Sequence, residues 1–418
     1  MRKFLEYKIL VAILAVSVSG TGNIVFAANT GITSSTEAIG NSSFYVGSNG
    51  PSDNKVSIDT SIDYGIAGGY DKDGSNGATD NFVNINGTES VKTVVNGYVY
   101  GSYSENGIVN SNNIEISNSD ITRTVYGGCS QKGEVSNNEI IVSNSSVGTS
   151  VYGGFTNNGN IEGNDVTING SSLTNVYGGQ STSGNVSNNH VMIIGNTVVN
   201  GTVDGGYSPF GSISKNEVNI YGGTLEDRVS GGFGGNSKDS VVSGNIVNIS
   251  GGTINGKVYG GYGYQNNPYD NKVNISGGTV NGAIYGGLGY TGANNNSINI
   301  SGSADIANAD LYGANKIGGT GNTLTIDNWS GSTKSVQNFN TINFANIEWQ
   351  NGAEVLRITN NTKSGVLANT EINIQNLVFQ GGVQLGVGDS MSFISGDDLQ
   401  IDQDKVSADG NFTAGVTI

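Results

Sequence analysis

The chain has 418 residues, 67 of them glycine and 3 proline, and a formal net charge of -16 with only 12% charged residues. A thin, acidic charge repels phosphate backbones, which excludes nucleic acid as an expected partner. One histidine, His190, and one cysteine, Cys129, leave no material for an intrachain disulfide, a thiolate metal cluster or a histidine-based zinc or triad site; no metal and no cofactor is expected.

In chain order, the first expected element is a secretory signal over residues 1–27. Arg2, Lys3 and Lys8 charge the start, Ile9 to Val18 is apolar, and Val25-Phe26-Ala27 puts small residues at positions -3 and -1 of a cleavage site. These are the three parts of an export signal, and the apolar run is short for a membrane span. An exported chain with so little cysteine points to a bacterial route. Residues 28–53 read as an N-terminal cap region.

Residues 54–323 read as a repeat. The motif Asn-x-φ-x-φ, with φ aliphatic, starts at Asn54, Asn81, Asn112, Asn138, Asn164, Asn189, Asn216, Asn245, Asn271, Asn296 and Asn322. A step near 26 residues marks a stacked array. Alternation such as Val247-Asn248-Ile249 has the period of a strand and places both aliphatics on one face. Two apolar residues cannot form a core alone, so neighbouring copies must complete it. The leading Asn shares their phase, which predicts an inward ladder of amides bonded from copy to copy.

Each copy continues with Thr-φ-x-Gly-x-φ-Tyr-Gly-Gly, as in Thr253 to Gly261 and Thr279 to Gly287. The middle glycine reads as a bend. The Gly-Gly pair reads as a corner, and polar stretches such as Gly133 to Asn137 as another, giving three strands and three corners per turn. The expected fold is therefore all-β: a right-handed parallel β-helix, or solenoid, of about ten turns of roughly 26 residues. Residues 324–418 lose the register but keep alternating strands, and read as an irregular C-terminal continuation of the coil.

The candidate sites fall out of the same pattern. Tyr100, Tyr126, Tyr152, Tyr177, Tyr259, Tyr285 and Tyr312 each follow an inward aliphatic residue, so they are expected to point outward as an aromatic strip or a stiffening ladder. Asp204 and Ser230 interrupt the row. Asp71 to Gly77 has alternating oxygen side chains, but Asn76 and Phe82 stand where a calcium loop needs glycine and glutamate, so a polar turn is expected. Gly231 to Asn236 lacks the aspartate and the tandem of a calcium nonapeptide. Asp204, Glu226, Asp227 and Arg228 form the best charged patch for catalysis, with a solvated face as the plainer reading. Cys129 reads as a packing residue and His190 as solvent-facing.

The Val-Tyr-Gly-Gly and Asn-x-Val-Asn-Ile-Ser-Gly-Gly-Thr repeats, the block Trp329 to Phe344 and Gly388-Asp389-Ser390-Met391 resemble passenger domains of bacterial autotransporter outer-membrane proteins. The resemblance spans nearly all of residues 54–395. It implies a Gram-negative source and a β-helix at the cell surface or secreted, serving adhesion, aggregation or biofilm contact. It also implies host or bacterial surface glycans or proteins, or other copies of the chain, as partners. A transmembrane barrel belongs to that family; no barrel-like run of strands precedes Ile418, so the barrel is expected downstream or on a separate chain. The expected role is structural and adhesive, not enzymatic; the alternative is a carbohydrate-active β-helix enzyme, a polysaccharide lyase or hydrolase.

Overall fold

A computed structural model describes residues 36–39, 42–46 and 50–409, except 75, 291, 316–318, 361–366, 382–384 and 398. The expected signal segment, 1–27, and most of 28–53 lie outside them. The described residues are all-β, with a single 3-10 turn at Gln403–Lys405 and no α-helix. They form two compact units: Met1–Asn185 with Asn196–Asn200, and Val186–Gly195 with Gly201–Ile418. Each is a parallel β-solenoid.

In the first unit one coil runs Val135–Ser136, Glu139–Ser143, Ser146–Val147 and Ser150–Thr156. Each strand pairs in parallel and in register with its equivalents one coil away. Glu139–Ser143 lies between Asn113–Ser117 and Asp165–Asn169. Val125–Ser130 lies between Val99–Ser104 and Ser150–Thr156. β-Branched residues alternating with polar ones suit such half-buried strands. Ile140, Val142, Val147 and Val151 point inward and are at most 3% exposed, while Glu139 is exposed. An antiparallel hairpin, Thr36–Ile39 with Ser42–Val46, precedes the coils, and its second strand pairs with Gly65–Asp71.

The second unit repeats the plan. Val242–Ser243, Ile246–Ile249, Thr253–Ile254 and Val258–Gly263 form one of its coils. Beyond Asn322 the coils change length: Thr323–Asp327 pairs with Thr341–Ala345, then Glu371–Gln375, then Val406–Ala408. A three-stranded sheet, Gly331–Thr333, Glu354–Ile358 and Ser392–Ser395, accompanies this region.

Two details differ from the sequence reading. A coil has four strands, not three: the expected polar loop holds the two-residue strand Val135–Ser136, paired with Val109–Asn110 and Ile161–Glu162. One buried aliphatic per coil is enough to pin it. And the Gly-Gly pair lies inside a strand rather than at a corner. A Cβ on Gly127 would press on Ile140, and one on Gly128 on Val109 and Val135, so both glycines face the interior. Two successive inward positions skip one alternation, and the residue after the pair returns to the tyrosine's side.

The corner that sets each Asn in place is made by the residue before it. Asn137 (φ 51), Asn188 (φ 54) and Lys215 (φ 56) are left-handed, and glycine takes the same place at Gly163 and Gly244. Asn and Gly adopt this conformation most readily.

Candidate functional site

The eleven repeat asparagines are all buried, none more than 3% exposed. In the first unit Asn54, Asn81, Asn112 and Asn138 each donate from Nδ2 to Oδ1 of the next, ending on Asn164, at 2.7–3.0 Å. In the second unit the chain runs from Asn189 through Asn216, Asn245, Asn271 and Asn296 to Asn322, at 2.8–3.2 Å. The same Oδ1 also accepts the backbone N–H of the preceding Asn, for example Asn216 N to Asn245 Oδ1 at 3.0 Å. Buried amides thereby meet their hydrogen-bonding needs, and head-to-tail alignment polarises each link in the same sense. Asn340 extends the ladder, accepting from Asn322 N at 2.8 Å.

The ladder explains the second glycine of each pair. A Cβ on Gly232, Gly261 or Gly287 would come within 2.7 Å of the Nδ2 of Asn245, Asn271 or Asn296. Where serine replaces it, at Ser102, the hydroxyl joins the ladder: Oγ donates to Asn112 Oδ1 at 2.6 Å and accepts from Asn81 Nδ2 at 2.7 Å.

Hydroxyl ladders, absent from the sequence reading, complete the interior of the first unit. The backbone N–H of Ser119 donates to Ser145 Oγ at 3.0 Å, and that of Ser145 to Ser171 Oγ at 3.1 Å. At the end of each tyrosine-bearing strand, Ser130, Thr156 and Ser181 accept from the N–H of Gly133, Gly159 and Gly184, closing the next turn. Asp71 takes this position in an earlier coil. Its carboxylate accepts from Gly74 N, Gly77 N and Ser104 Oγ, so the buried carboxylate of the candidate calcium loop is taken up by two of the loop's own N–H groups and a hydroxyl of the adjacent coil.

The tyrosines lie outside the aliphatic interior but do not form an open strip. In the first unit Tyr100, Tyr126, Tyr152 and Tyr177 stack at 4.8–5.1 Å, within 8° of parallel. In the second unit Tyr259, Tyr285 and Tyr312 stack at 5.2 and 4.7 Å. Within each stack, the facing surfaces of neighbouring rings cover one another. The residue three positions on covers an edge: Phe155 meets Tyr152 at 5.6 Å and Tyr262 meets Tyr259 at 5.5 Å, both T-shaped. Tyr100 and Tyr259 are 8% and 7% exposed. Burial is the main cause that lifts the phenols of Tyr100, Tyr126, Tyr259 and Tyr285, the last pushed up to about 12. Cys129 packs in the same cluster with Tyr100 and Tyr103, and burial pushes its thiol up.

Asp204 and Ser230 leave a notch in the second unit's row, and Arg228 fills it. Arg228 Nε and Nη2 donate to the two Asp204 oxygens at 3.1 and 2.7 Å, and Cζ lies 3.6 Å from the Phe233 ring centroid. Asp204 is fully buried, which raises its carboxyl above the usual range against the opposing pull of Arg228. Glu226 accepts from Asn255 Nδ2 at 2.8 Å on the exposed side. The best charged patch is therefore a closed ion pair with an exposed neighbour. His190 is exposed on its strand, in register with Glu217.

On the outside of the second unit, amides repeat again. Asn299 donates to Asn274, Asn274 to Asn248, and Asn248 to Asn219, at 2.7–2.9 Å. Asn308, Asn281 and Asn255 form a parallel row. These rows run opposite to the inner ladder, and each also reaches a carboxylate: Asn248 Nδ2 donates to Glu217 as well as to Asn219, and Asn255 Nδ2 donates to Glu226. A carboxylate only accepts, so it fixes the direction of the row.

Fold and ladders together define the class: a parallel β-solenoid whose surface repeats coil by coil. Comparison with protein-family models, curated proteins and solved structures finds no match.

Proposed function

We propose that this protein is a structural and adhesive surface β-solenoid: an exported, autotransporter passenger-like chain that presents repeated contact faces. The observation that carries the reading is the outward amide rows, Asn219-Asn248-Asn274-Asn299 and Asn255-Asn281-Asn308, held at the spacing of adjacent strands, about 4.8 Å. Repetition of one polar group along a face suits multivalent contact, where weak points add through linkage. Reaction chemistry needs unlike groups converging on one point, and the strongest charged pair, Asp204 with Arg228, is bound to itself.

The sequence start, the repeat and the block Trp329 to Phe344 support placement at the bacterial cell surface or outside the cell, with delivery through an outer-membrane barrel. Partners on this reading are surface glycans or proteins of host or bacterium, or a second copy of the chain. The test is binding of purified protein to panels of matrix proteins, immobilised glycans and itself. Saturable binding to any of the three is expected; binding to none refutes the adhesive reading.

A further inference from the structure

We propose that Tyr126 and Tyr152 form a modification site, where a haem peroxidase acting with hydrogen peroxide joins the two rings as dityrosine. This goes beyond the adhesive reading and does not depend on it.

The geometry comes from the repeat. The two residues are direct partners on parallel strands of the first unit. Their ring centroids lie 5.1 Å apart and the rings are 8° from parallel. That separation is close to the spacing of adjacent strands, about 4.8 Å, so the rings hardly slip past one another and share one side-chain orientation. Hydroxyl then sits over hydroxyl and ortho carbon over ortho carbon, the approach that bonding between the rings requires. Phe155 braces both, T-shaped, at 5.7 and 5.6 Å. Two reactants held in this way need no chance encounter.

Electron and proton both have a way out. Both rings are half-buried and keep some exposure to an oxidant, unlike Tyr100, 8% exposed. The Thr124 hydroxyl bonds the Tyr126 phenol, and its oxygen lies 2.6 Å from that of Thr149, which is exposed.

The reaction balances. Each phenol gives up one electron and one proton. The two phenoxyl radicals join through a new bond between ortho carbons. The C–H bond on each of those carbons then breaks and its proton moves to oxygen, restoring both phenols. Two hydrogens are lost in all, and hydrogen peroxide takes them to become two waters. The product staples one coil to the next and restricts the unfolded chain as other cross-links do.

The test is treatment of the whole protein, dilute enough to stay monomeric, with a haem peroxidase and hydrogen peroxide. Trypsin cuts after Arg123, Lys132 and Lys215, so Tyr126 and Tyr152 leave on separate peptides, Thr124 to Lys132 and Gly133 to Lys215. The expected product is these two peptides joined, two hydrogens lighter than their sum, with the blue fluorescence of dityrosine. Tyr152→Phe keeps the stack and removes the phenol, so it should abolish the pair with thermal unfolding unchanged; Tyr126→Phe serves if that variant fails to fold. Cys129 shares the first peptide, and Cys129→Ser should leave the pair in place. No joined pair from the native protein, a pair that survives in the Phe variant, or its loss in Cys129→Ser overturns the site.

Discussion

Replacing Asn245 by alanine tests what holds the coils in register. Its side chain makes four hydrogen bonds: Oδ1 accepts from Asn216 N and Nδ2, each at 3.0 Å, and Nδ2 donates to Asn271 Oδ1 at 2.9 Å and Ile213 O at 3.1 Å. In the variant Asn216 Nδ2 keeps Val186 O, and Asn271 Oδ1 keeps the Asn245 N–H. The Asn216 backbone N–H loses the partner that held it in a water-free interior. An orphaned buried group costs about 1–3 kcal/mol, and the small void adds about 1 kcal/mol, so the loss should be about 3 kcal/mol. Asn248→Ala is the control. It removes amide bonds of the same kind from a half-buried outer row, where water replaces them, and should cost under about 1 kcal/mol. Urea unfolding of both variants, with slope m unchanged, reads the difference from the midpoints. Costs within about 0.5 kcal/mol of each other would refute the idea that the inner ladder differs from the outer one.

Four further outcomes are expected. Gly261→Val should destabilise by about 1–3 kcal/mol through overpacking against Asn271, while Gly261→Ser should cost less, because Ser102 already joins the ladder; thermal melts rank the two. Arg228→Met strands the buried Asp204 carboxylate and should cost about 3–5 kcal/mol at neutral pH. Because burial raises that carboxyl in the folded state, the variant should regain stability as pH falls, and pairing it with Asp204→Asn should restore much of the loss in a double-mutant cycle. Alkali should weaken the fold: Tyr285 rises from 10.0 to about 12, so its contribution is full below pH 10 and is lost as pH climbs toward 12. Phenolate absorbance should then lag behind that of free tyrosine until unfolding. Cys129, 4% exposed with its thiol pushed up by burial, should resist a thiol-specific chromogenic reagent at pH 8 until the chain unfolds.

The main strand of each coil was legible because period-two alternation survives around every ladder Asn, as in Asn271-Lys272-Val273-Asn274-Ile275. The fourth strand was not, because it holds one inward residue per coil. Its signal is an aliphatic three positions before the ladder Asn, as in Val135 to Asn138 and Ile213 to Asn216. Asn340 fits the motif if Phe344 is allowed at the second φ, but it follows Asn322 after 18 residues rather than about 26. The tyrosine row was placed outside the core, yet its coverage was hidden. Only the inward turn of both glycines shows that Phe155 and Tyr262 return to the tyrosine side. Nor could spacing show that Arg228 swings across to Asp204, since the contact links residues 24 apart on neighbouring coils.

Whether this surface holds glycans or transforms them is decided by counting turnovers. Neutral and uronate-containing polysaccharides would be incubated with a stoichiometric amount of protein, and new reducing ends and unsaturated uronate measured over a day. A contact surface predicts retained polymer with fewer than one cleavage per protein. Repeated cleavage by each molecule would contradict it.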